Sequence, residues 1–104
     1  MRVGALEAGG TKMVCALGNE NGEILERISI PTKTPEETMP ALMDFFHQYS
    51  LDTIGIGTFG PVDLDRTSST YGYITSTPKL PWRNFDLLGS FRKEFSIPIG
   101  LDTD

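Results

Sequence analysis

The stretch Glu7-Ala8-Gly9-Gly10-Thr11-Lys12 sets a carboxylate, two adjacent glycines, a hydroxyl and an ammonium within one short segment. Phosphate chemistry uses these parts. With no Cβ in the way, the amides of Gly9, Gly10 and Thr11 can point into one concavity around an anion. The Thr11 hydroxyl adds a donor, and Glu7 can hold a hydrated magnesium ion beside the phosphates. The same residues between two apolar runs also fit an ordinary hairpin turn, and spacing alone leaves both readings open. The chain contains no G-x-x-x-x-G-K-[ST] loop, so any nucleotide binding must use a different fold.

A second glycine group, Gly55-Ile56-Gly57-Thr58-Phe59-Gly60, matches G-x-G-x-x-G letter for letter. A dinucleotide loop of that form must open directly onto a helix, whose N-terminus receives the pyrophosphate. Here Pro61-Val62-Asp63 follows, and no helical pattern begins before Asp86. The match is accidental. Gly55 and Gly57 can instead let a helix lie close to a strand, while Gly60-Pro61 is a tight turn at a strand's carboxyl end, where open α/β sheets place ligands. A third group is Asp102-Thr103-Asp104, two carboxylates about a threonine after an apolar run. Asp104 is the candidate working carboxylate, and Asp102 reads as structural, bonded to neighbouring backbone amides. Lys12 reads as a solvated strand residue or salt-bridge partner. His47 falls late in a helix, where a cation suits the carbonyl end, and is given no catalytic role. Trp82 reads as a packing anchor, and Cys15 as a small buried hydrophobe.

The elements that must position these groups can be read from the same pattern. Arg2 to Ala8 and Lys12 to Asn19 are two short strands, and Asn21-Gly22 is a hairpin signal because both residues accept positive φ. Glu23 to Ile30 follows as a third strand, with Ile24, Ile28 and Ile30 on one covered face and Arg27 and Ser29 on the other. Thr34, Pro35 and Glu37 form a helix start with a capping box. Met39, Leu42, Met43 and Phe46 supply its apolar stripe, and Pro40 predicts a kink or a tightened first turn. Asp52 to Gly60 is a fourth strand, residues 62–83 are an excursion with a small hairpin near Tyr71 to Thr75, and Asp86 caps a second helix with Leu87, Leu88, Phe91 and Phe95 on its stripe. The chain closes on a final strand. The order is βββαβ, excursion, αβ.

At 104 residues the chain has room for one domain. Its net charge of −5 is spread without blocks, which gives no footprint for nucleic acid or anionic lipid. Cys15 is the lone cysteine, so an internal disulfide and a thiolate zinc site are excluded within this segment. Charges inside the first apolar run argue against a signal peptide, and no apolar run reaches the ~20 residues of a membrane span. A cytoplasmic domain is expected.

Taken together, four segments resemble the ROK family of sugar kinases, along the whole length and in order. Glu7 to Lys12 resembles the family's first phosphate motif, with Glu in place of the usual Asp, a variant of the fructokinase branch. Gly55 to Asp63 resembles its sugar-side G-x-G-x-x-G-P-V-D loop. Thr67 to Trp82 is similar to the segment fructokinases carry before the second helix. Lys79 stands where family glucokinases typically have Asn, which tilts the substrate towards fructose. Asp102 to Asp104 resembles the start of D-x-D-x-N-A-A, whose second Asp is the catalytic base. The resemblance implies an α/β fold of the actin-like, ribonuclease H-like ATPase type: a mixed sheet of three antiparallel strands, then alternating helices and strands. Residues 1–104 would be the N-terminal lobe of a two-lobed kinase that transfers phosphate from ATP to the 6-hydroxyl of fructose, the lobe alone being inactive. Another hexokinase activity (glucose, mannose or N-acetylmannosamine) and a non-catalytic sugar-sensing regulator are the alternatives, and a bare interaction lobe is a further rival. The implied roles are Asp104 as base, Glu7, Gly9, Gly10, Thr11 and Lys12 for ATP and Mg2+, and Gly60, Pro61, Thr77, Lys79 and Thr103 for the sugar. A structural Zn2+ belongs to the other lobe, the parent is expected to be a homodimer, and nucleic acid and membrane are not expected partners.

Overall fold

The computed structural model describes residues 1–103. Strands β1 (Arg2–Ala8), β2 (Lys12–Asn19) and β3 (Ile24–Pro31) form an antiparallel meander. Helix α1 (Pro35–His47) then returns the chain so that β4 (Thr53–Thr58) lies parallel to β1. After the excursion, helix α2 (Leu87–Glu94) leads into β7 (Ile99–Thr103), parallel to β4. The five-stranded sheet has the order β3-β2-β1-β4-β7.

The alternation along β1, β2 and β4 decides where the core sits. Leu6, Ala8, Met13, Cys15, Ile54 and Ile56 point to one face, where α1 and α2 cover them with Leu42, Phe46, Leu87 and Phe91. The helices meet at Phe46 and Phe91, whose rings lie edge to face at 5.9 Å. Each such aromatic contact adds about 0.5–1.5 kcal/mol beyond area burial. Gly4 makes the close approach possible, since a Cβ there would stand 3.1 Å from the Phe46 ring. Gly55 does not have the packing role expected of it: it is exposed on the opposite face, and a Cβ there would meet nothing within 4 Å.

That opposite face is uncovered. One row across it reads Arg27, Ala16, Ala5, Gly55, Gly100, and the next reads Ser29, Val14, Glu7, Gly57, Asp102. The small side chains leave a shallow hollow of about 730 Å³. The third strand is less covered than its alternation implies. A register shift at Leu17/Gly18 pairs Gly18 with Ile24, turning Ile24 onto the open face, away from Ile28. Ile24, Leu25 and Ile28 are all exposed on this edge strand, and only Ile30 packs against the core.

Helix α1 starts as its sequence dictates. The Thr34 hydroxyl accepts from the Glu37 amide at 3.3 Å and donates to the Glu37 carboxylate at 3.0 Å. The helix runs unbroken through Pro40, because Pro40 and Glu36 both face solvent and water can satisfy the freed Glu36 carbonyl. In the excursion, β5 (Tyr73–Ile74) pairs forward with β6 (Phe85–Asp86) and backward, at Ile74, with Val62. The small hairpin expected near Tyr71 to Thr75 is therefore closed by partners further along the chain in both directions. Asp86 caps α2 by accepting from the Gly89 amide at 2.8 Å.

Candidate active site

The parallel register brings the separate motifs to one edge. Ala8 pairs with Thr58, and Thr58 with Thr103, so the carboxyl ends of β1, β4 and β7 finish in a single row. From that row the chain continues into Gly9-Gly10-Thr11 on one strand and Phe59-Gly60-Pro61 on the next. Thr103 is exposed at the end of the third. Asp104, the expected base, follows it in sequence and lies outside the described residues.

The turn at Gly9 to Thr11 is both of the things its sequence allowed. The Gly9 amide donates to the Lys12 carbonyl at 3.0 Å, which closes a tight hairpin and takes that amide away from any ligand. The expectation of three ligand-facing amides is corrected to two, those of Gly10 and Thr11, which have no partner among the described residues. The carbonyls around them are turned to other work. Ala8 O accepts from the Phe59 amide at 2.8 Å, Gly9 O from the Thr32 hydroxyl at 2.7 Å, and Thr11 O from the Thr32 amide at 2.9 Å. With three of its neighbouring carbonyls bonded and two amides without a partner among the described residues, the loop presents N–H groups of the kind that attract anions. A groove of about 320 Å³ opens there, lined by Glu7, Gly9, Gly10, Thr11, Lys12 and Val14. Glu7 is exposed and shares its row with Gly57 and Asp102. Lys12 is exposed and forms no ion pair among the described residues.

The segments expected to face a sugar are tied to the end of β1 by Phe59 and to one another through Pro61 and Thr75. Gly60-Pro61 is a cis peptide, and a Cβ on Gly60 would stand 2.8 Å from the Val62 amide, so only glycine fits. The Pro61 carbonyl accepts from the Thr75 amide at 2.8 Å. Asp63 organises the excursion: it accepts from the Thr70 hydroxyl at 2.6 Å and the Asp65 amide at 2.9 Å, and these bonds, with one from Ser68, hold its carboxyl below the usual range. Thr77 is buried, its hydroxyl accepting from the Lys79 amide at 3.2 Å. Trp82 is fully buried as an anchor between Phe59 and Phe85, and its indole N–H donates to the Lys33 carbonyl at 2.6 Å.

Several other expectations are met. Asp102 accepts from the neighbouring Thr103 amide at 2.8 Å. Cys15 is buried, and desolvation pushes its thiol up to about 12. His47 adds a contact that spacing did not reveal: its Nε2 meets Glu94 Oε2 at 2.9 Å while the ring stacks on Phe95. The apolar stripe of α2, extended to Phe95, was the signal that the two helix ends meet. No group of three His, Cys, Asp or Glu residues among the described residues is placed to hold a metal. One carboxylate beside a phosphate loop does fit Mg2+, which keeps most of its waters and leans on substrate phosphates. The zinc expectation involves no residue of this chain.

This geometry is that of the actin-like ATPase fold, a mixed sheet whose parallel strand ends gather two glycine turns at one edge. The chain belongs to the ROK family, whose model matches residues 3–104. It is 54% identical over 104 residues to a fructokinase of Pediococcus pentosaceus, covering 100% of this chain and 36% of that protein. The same fold occurs in a ROK family protein from Streptococcus pneumoniae in complex with sucrose, with a TM-score of 0.82 and 22% identity over 100% of this chain and 35% of that one. It also occurs in a ROK family glucokinase from Streptomyces griseus in complex with glucose and AMPPNP, with a TM-score of 0.71 and 20% identity over 99% of this chain and 33% of that one. The chain thus spans about a third of the length of the relatives it matches. No helix among the described residues is long and apolar enough to cross a membrane.

Proposed function

We propose that residues 1–104 are the N-terminal lobe of a fructokinase that transfers the γ-phosphoryl group of ATP to the 6-hydroxyl of D-fructose. The observation that carries this reading is the shared row of Ala8, Thr58 and Thr103, which sets the phosphate turn, the Gly60-Pro61 turn and the residue before Asp104 at one sheet edge. The high identity to a fructokinase supports fructose as the sugar. A neighbour's complex with an ATP analogue supports ATP as the donor.

In this reading the amides of Gly10 and Thr11 and the Thr11 hydroxyl hold the β- and γ-phosphates, with Gly9 shaping the turn and Lys12 beside it. Glu7 would hold a magnesium ion beside the phosphates, where the ion would supply charge neutralisation. Gly60, Pro61, Thr77 and Thr103 border the sugar. Asp104 takes the proton of the 6-hydroxyl as its oxygen attacks phosphorus, and the bond to the β-phosphate oxygen breaks to release ADP. A cytoplasmic, homodimeric parent with a zinc site in its second lobe completes the proposal.

In the full-length enzyme, Asp104→Asn is expected to lower kcat by about 10²–10⁴, the range of a positioned base, while the dissociation constant for fructose stays within a few-fold. Steady-state kinetics and a fructose titration read both. Unchanged turnover removes Asp104 from the mechanism.

A further inference from the structure

The loop itself offers an incoming anion two amides, a hydroxyl and, at its rim, the Lys12 ammonium, and phosphoryl transfer concentrates more negative charge there than one cation balances. A second cation lies beside it. A Cβ built on Gly10 would lie 3.5 Å from Cε of Lys79, the last carbon before the ammonium. The stem of Lys79 therefore lies against Gly10, whose amide has no partner among the described residues. It is exposed and engaged in no ion pair among the described residues.

Its backbone position is held from both sides. The Lys79 amide donates to the Thr77 hydroxyl at 3.2 Å, and its carbonyl accepts from the Trp82 amide at 2.9 Å. Trp82 bonds Lys33, next in sequence to Thr32, and Thr32 bonds both Gly9 and Thr11. The loop, the β3–α1 junction and the Lys79 segment form one connected network. This network fixes where the Lys79 backbone stands relative to the loop, and with it the region its ammonium can reach.

We infer that Lys79 is a phosphate-binding catalytic residue, its ammonium completing the loop around the terminal phosphates of the nucleotide. This role rests on the fructokinase reading for its donor, and it differs from the sugar-selecting role that the sequence resemblance implies for Lys79. A lysine acts on phosphate as a point charge without bidentate geometry, so charge matters more than shape.

The test uses the full-length enzyme as wild type, Lys79→Met and Lys79→Arg, with ATP binding measured by titration without sugar and kinetics measured with fructose. Lys79→Met is expected to weaken ATP binding about 10- to 100-fold, the loss of one charge-assisted contact. It should raise the KM for ATP and lower kcat, with the KM for fructose within about twofold, and Lys79→Arg should recover most of the loss. Equal ATP binding by wild type and Lys79→Met overturns the inference, as does a selective rise in the fructose KM. Wild type that binds ATP through Lys79 yet leaves fructose unphosphorylated contradicts the fructokinase reading and keeps this one. Wild type that binds no ATP contradicts both.

Discussion

Two neighbouring glycines have different reasons to be glycine. At Gly9 a Cβ would stand 2.6 Å from the Lys12 carbonyl oxygen, a backbone atom that cannot retreat without opening the turn. At Gly10 the nearest obstacle is the flexible stem of Lys79 at 3.5 Å, an ordinary contact. Gly9→Ala is therefore expected to cost about 1–3 kcal/mol of stability, in the range of overpacking, and to weaken ATP binding with it. Gly10→Ala should leave the melting temperature nearly unchanged. Thermal melts of the two variants check the contrast. Cys15 gives a prediction with a sign. Burial raises its thiol from 9.0 to about 12, so the folded state keeps a proton that the unfolded state releases. Its contribution to stability is full below pH 9 and falls as pH rises through the window from 9 to about 12. Denaturant melts across that window should show a decline that Cys15→Ala reduces, and the native thiol should resist alkylation at neutral pH.

Among the elements, helix α2 depends on its cap. Asp86 holds the Gly89 amide, and Asp86→Ala should lower stability by about 1 kcal/mol, measured as a shift in the denaturation midpoint. Strands β1 and β2, both caps and the βββαβαβ order were legible because their signals are local: alternation, Asn-Gly turns and Thr-x-x-Glu spacing. Three features were not. The bulge at Leu17/Gly18 depends on how two strands meet, and it alone turns Ile24 to the open face. The packing glycine is Gly4 rather than Gly55, since both sit in strands and only the placement of the helices tells their faces apart. The excursion pairs Ile74 with Val62 and Phe85, contacts too distant in sequence for a local pattern.

For the whole molecule, the candidate site is a consequence of parallel pairing. Two glycine turns and a threonine, scattered between residues 9 and 103, come to one sheet edge because β1, β4 and β7 end in register. The motifs were readable one by one, but their meeting was not. Neither was the use of the Gly9 amide inside the turn, because a phosphate nest and a hairpin share the same glycines until hydrogen bonds distinguish them. Fructose is the proposed acceptor at this edge, and that proposal stands or falls on selectivity. It is tested most directly by measuring kcat/KM of the full-length enzyme with ATP and magnesium on fructose, glucose, mannose and N-acetylmannosamine. The account predicts that fructose is preferred at least about tenfold, a discrimination of roughly 1.4 kcal/mol in transition-state binding. Preference for glucose, or no turnover of any of the four, would contradict it.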